Sequence, residues 1–83
     1  MTHDEYRDQA WGIARLTMDV PAHDKPKVTR DLIAKLDCPP SLAVCLRYDV
    51  PACRRVLLYA RKHGRDAVPD AADPSGYRFK VLP

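Results

Sequence analysis

Eighty-three residues at 46 % apolar and 30 % charged content suffice for one small domain, residues 1–83, and are too apolar for a disordered chain. The net charge is +3, a mild positive balance that favours anionic partners. No apolar run approaches the ~20 residues that cross a bilayer. The start, Met1 to Glu5, is polar and acidic, unlike a signal peptide, so the expected setting is cytoplasmic and free of membrane.

Asp4 to Val20 has the pattern of an amphipathic helix. Tyr6, Ala10, Ile13, Ala14, Thr17 and Val20 share one face, and Asp4, Glu5, Asp8, Arg15 and Asp19 take the other. Trp11 and Met18 fall together on the flank. Thr2 or His3 would start this helix and Pro21 would stop it. Asp24 then caps a second helix with Pro26 in its first turn. Val28, Leu32 and Leu36 form its apolar stripe, and Pro39-Pro40 ends it near Leu36 or Asp37.

A short third helix is expected from Pro40 or Ser41 through Tyr48. It is apolar nearly all round, which predicts burial at the centre of a bundle or against another copy, as in a homodimer. Asp49-Val50-Pro51 reads as a break and a new cap. The fourth helix runs from Pro51 to about His63 and ends at Gly64, with Ala52, Val56, Tyr59 and Ala60 inward and Cys53 at the edge. Arg54, Arg55, Arg61 and Lys62 would stand outward around Leu58. Asp66 to Gly76 carries loop chemistry. Tyr77 to Val81 alternates apolar and basic like a half-buried strand, with Ala67-Val68 as a short partner. The expected fold is therefore mainly α (α+β): three to four helices closed by a C-terminal β-hairpin.

Charge is unevenly distributed. Residues 1–24 hold five acids and two bases, whereas residues 47–65 hold six bases and one acid, Asp49. A basic stretch of this density suits a polyanion; its structural explanation is pairing with the acidic N-terminal helix, within the chain or across a dimer.

Leu32 to Leu46 resembles the winged helix-turn-helix family of DNA-binding domains over about residues 30–48. Leu32, Leu36, Cys38, Ala43 and Leu46 are apolar where that motif repeats apolar residues, and helices followed by a hairpin is its layout. Ile33 replaces the motif's small residue and Asp37 its turn glycine. A second register makes the fourth helix the reader, but sets Arg55 at an apolar position. The resemblance implies a small transcription regulator on duplex DNA. Phosphate contacts would come from Arg47, Arg54, Arg55, Arg61, Lys62 and Arg65, wing contacts from Arg78 and Lys80, and base reading from Ser41 and Tyr48.

The alternative is a protein-interaction module or inhibitor that docks on a larger host protein through an acidic surface, with Leu58, Trp11 and Met18 as its contacts. No cofactor, metal or catalytic group is expected. The three glycines are isolated, the helix-one carboxylates form an ordinary solvent face, and His63 suits a helix C-terminus. Cys38, Cys45 and Cys53 lack paired zinc-ligand spacing and read as buried reduced thiols, ahead of a Cys₃His site with His63.

Overall fold

The computed structural model describes residues 1–70, 72, 73 and 78–83. Three helices and a two-stranded antiparallel hairpin follow in order: α1 (His3–Leu16), α2 (Lys25–Ala34), α3 (Pro40–Lys62), β1 (Asp66–Pro69) and β2 (Phe79–Leu82). The α-carbons span 35 × 32 × 14 Å, a flat body as long as α3 itself.

α1 begins with a side-chain N-cap. The Thr2 side chain accepts from the Glu5 backbone N–H at 3.1 Å, and its hydroxyl donates to the Glu5 carboxylate. The helix closes at Leu16, four residues short of the predicted end, because the Thr17 hydroxyl donates back to the Ile13 carbonyl and Val20 folds over in a turn. Asp24 occupies the N-cap position of α2 but makes no side-chain cap bond, and its backbone is already helical.

The main departure from expectation lies at Pro51. Residues 40–62 form one continuous helix of 23 residues with Pro51 inside it, so the break and cap at Asp49 do not exist. Asp49 is instead held sideways by the hydroxyl of Tyr6 on α1. Once the helix is unbroken, Leu46, Val50, Arg54, Leu57 and Ala60 lie on one stripe at three-to-four spacing, and all five are buried. That stripe packs mainly against Ala10, Trp11, Ile13 and Ala14 of α1, with Ile33 of α2 and Ala67 of β1 completing the core.

This rotation reverses several expectations. Tyr59 and Val56 do not head the apolar face: Tyr59 is exposed and Val56 is half-buried. The N-terminal third of α3 is not enclosed either, since Val44, Cys45 and Tyr48 face solvent. Cys45 is exposed, and Cys38 and Cys53 are half-buried. Trp11 and Met18, expected on a flank and offered as docking residues, are core residues.

α3 ends as predicted at Gly64, whose φ of +68° is the left-handed geometry glycine adopts without strain. Arg65 N–H bonds the Ala60 carbonyl and Gly64 N–H the Arg61 carbonyl, the paired closure of a Schellman motif. The turn delivers the chain into β1, where Ala67 pairs with Val81 and Val68 with Lys80. Tyr77, the predicted first residue of the second strand, lies outside the described residues.

Candidate nucleic-acid interface

The six cations predicted for one ridge divide into three groups. Arg54 is buried at 8 % exposure, because it sits on the same stripe as Val50 and Leu57. Its Nη1 donates to the hydroxyls of Thr17 at 2.6 Å and Thr29 at 3.0 Å. Burial depresses its pKa from the ordinary arginine value. It is therefore a core residue tying α3 to α1 and α2, and the outward placement is corrected. Arg61 is exposed, but its Nη1 lies 2.9 Å from Asp19 in the turn after α1, which is the intramolecular pairing expected of a solvated face.

The remaining four, Arg47, Arg55, Lys62 and Arg65, are exposed and have no carboxylate within 4.0 Å among the described residues. Three of them follow the outward side of α3 at intervals of eight and seven residues, about 12 and 10 Å along the axis. Arg65 follows just past the Schellman turn. Between them stand large side chains: Tyr48 at 76 % exposure, Tyr59 at 62 %, Val44 at 47 % and Leu58 at 44 %. The single acid of α3, Asp49, is half-buried and engaged with Tyr6, so no carboxylate interrupts this face. Ser41 is exposed on the first turn.

The hairpin meets the C-terminal end of this helix. Val81 shares a cavity of about 380 Å³ with Tyr59, His63 and Arg65, and the Tyr59 and His63 rings lie 4.8 Å apart. On the strand, the Lys80 ammonium is 3.8 Å from Asp70, a loose pair; Arg78 is exposed, its backbone N–H donates to the Asp73 carboxylate at 2.7 Å, and its guanidinium makes no ion pair among the described residues. Opposite, Arg15 of α1 reaches Asp66 at 3.2 Å and also donates to the Ala67 carbonyl, pinning β1 to α1. The Ala67 backbone N–H and then Arg15 hold the Asp66 carboxyl below its usual range.

Among the described residues no group of three or more His, Cys, Asp or Glu is placed to hold a metal ion. No helix among them is long and apolar enough to cross a membrane. The Cys53 thiol is pushed up to about 11 by burial and by Asp49, which keeps it protonated and unreactive near neutral pH. Comparison with family models, curated proteins and solved structures finds no match, so the functional reading rests on the chain's own geometry.

Sequence reasoning reached Arg47, Arg55, Lys62, Arg65 and Leu58 as surface residues. It missed Tyr59 and Val44, whose exposure follows from the unbroken helix, and it misplaced Arg54. The signal was present in the spacing Leu46, Val50, Arg54, Leu57, but the apparent restart at Pro51 hid it.

Proposed function

We propose that this protein is a small DNA-associated regulator that lays the outer side of α3 against duplex DNA. One observation carries the reading: across the exposed side of a 23-residue helix, cations and tyrosines alternate with no carboxylate among them. Like charges so arranged repel one another, and a phosphate backbone relieves that repulsion while releasing its own counterions. The order α2, turn, α3, hairpin further supports a winged-helix-like use of the fold, because the major groove, about 12 Å wide, admits one α-helix. In this reading Arg47, Arg55, Lys62 and Arg65 neutralise phosphates, Arg78 and Lys80 reach the backbone from the hairpin, and Ser41 and Tyr48 face base edges.

A mobility-shift titration on mixed-sequence duplexes tests it. The reading expects retardation that moderate salt reverses, and weaker retardation by an Arg55→Gln/Lys62→Gln chain. Absence of retardation at low salt would remove DNA as the partner.

A second reading is favoured by a separate observation. Val44, Tyr48, Pro51, Arg55, Leu58 and Lys62 follow strict four-and-three spacing, the pattern of a helix that seats in another protein's groove. Here Leu58 and Tyr48 are the anchors and the cations meet an acidic rim. Capture of one host protein that survives high salt and is lost on Leu58→Asp would select this reading over DNA.

A further inference from the structure

Arg54 is a buried cation with neutral partners only. Its Nη1 uses both protons on the Thr17 and Thr29 hydroxyls. The Nε and Nη2 edge makes no hydrogen bond or ion pair with any described residue. Those two nitrogens are not sealed from solvent-accessible space, since Arg7 Nε is the one enclosed side-chain atom left without a partner among the described residues. This edge of a guanidinium is the fork that grips two oxygens of a carboxylate or phosphate.

A cavity of about 220 Å³ that Arg54 lines opens between α2 and α3. Its walls are Pro26, Thr29, Arg30, Arg47, Pro51 and Arg54. Three of the six lining residues are arginines, none is an acid, and Arg30 and Arg47 are exposed without an ion pair among the described residues. Two prolines and Thr29, whose hydroxyl accepts from Arg54, make the remaining wall. The volume exceeds several times the ~30 Å³ share of one water, so an oxyanion with bridging water fits.

We propose that this α2–α3 cavity is an oxyanion site that takes a phosphate group. The free fork of Arg54 grips two of its oxygens, and Arg30 and Arg47 close on the others. Three positive charges around one small cavity favour a phosphate over a singly charged carboxylate. The site goes beyond the DNA reading: it lies on the flank of α3, and only Arg47 belongs to both.

The test is calorimetric titration of the full chain with inorganic phosphate, against chloride at matched ionic strength, with thermal unfolding in parallel. Saturable phosphate binding and a higher Tm in phosphate are expected. Arg54→Lys keeps the charge but loses the fork, and weakens phosphate binding about tenfold or more. If Arg54→Lys does not fold, Arg30→Gln/Arg47→Gln decides instead, again with about tenfold loss or more. Equal response to phosphate and chloride overturns the site, as does unchanged affinity in the folded variants. A short duplex in the same cell identifies the source: competition assigns the site to backbone phosphate, and simultaneous binding assigns it to a small phosphate compound. Arg55→Gln/Lys62→Gln is expected to bind DNA more weakly while binding phosphate as the native chain does, which separates failure of this site from failure of the DNA interface.

Discussion

At the residue scale the fold depends on how one guanidinium is satisfied. Thr17 is fully buried, donates its hydroxyl proton to the Ile13 carbonyl, and accepts from Arg54. Thr17→Val keeps the shape and removes the acceptor, leaving part of a buried cation unpaired. The expected loss is about 1–3 kcal/mol by urea unfolding. In an Arg54→Met background the same substitution should cost about 1 kcal/mol less, because the cation that needed the acceptor is gone. Equal cost in both backgrounds would show that the hydroxyl matters only to α1.

Asp66 sets an acid-side dependence on the same scale. Its pKa is lowered from 3.8 by the Ala67 N–H first and by Arg15 thereafter. A carboxyl depressed in the folded state binds its proton more weakly there than in the unfolded chain. Its contribution is therefore complete above pH 3.8 and disappears as pH falls through the lower folded value. Asp66→Asn should flatten this part of the stability curve by lowering stability at neutral pH, where the carboxylate's contribution is complete, and leaving the acid end nearly unchanged, as followed by thermal unfolding across acid pH. A parallel curve for the variant would place the acid sensitivity elsewhere.

At the scale of elements the question is why α3 continues through Pro51. Proline lacks the N–H that would bond the Arg47 carbonyl, and its ring crowds that carbonyl. The helix persists because residues on both sides are anchored: Leu46 and Val50 before it, Leu57 and Ala60 after it. Pro51→Ala restores the missing donor but also loosens the unfolded chain. A net gain of about 1–2 kcal/mol in unfolding free energy is expected, read from the urea midpoint. A loss would mean that the ring's own packing outweighs the hydrogen bond.

The same element shows what was legible beforehand. Thr2, Gly64 and the apolar positions of α1 announced themselves, because caps and periodicity are local signals. The hairpin was visible in alternating Phe79, Lys80 and Val81. The fusion across Pro51 was not, since Asp-Val-Pro is a common helix start and only packing against α1 overrides it. That override turned Arg54 inward and Tyr59 outward, so the exposure of Arg47, Arg55, Lys62 and Arg65 was legible and the single helix that carries the first three, with its rotation, was not. The ion pair of Arg61 with Asp19 joins residues 42 positions apart, which no local pattern encodes.

For the whole molecule, shape and charge act together. A body 14 Å thin in its smallest dimension has one long helix whose outer side is left uncovered, and that side is where the unpaired cations collect. The acidic N-terminal segment does not neutralise it: of its carboxylates, only Asp19 reaches a residue of the basic stretch within 4.0 Å among the described residues. What remains is a four-cation field beside two exposed tyrosines, directed away from the core.

The decisive measurement is the slope of log K against log salt for duplex DNA, compared between the native chain and Arg55→Gln/Lys62→Gln. Six phosphate contacts, four from α3 and its C-terminal turn and two from the hairpin, predict a slope of about −5, and removing two should make it shallower by about 2. Identical slopes for the two chains, or binding indifferent to salt, would contradict the assignment of α3's outer side as the contact.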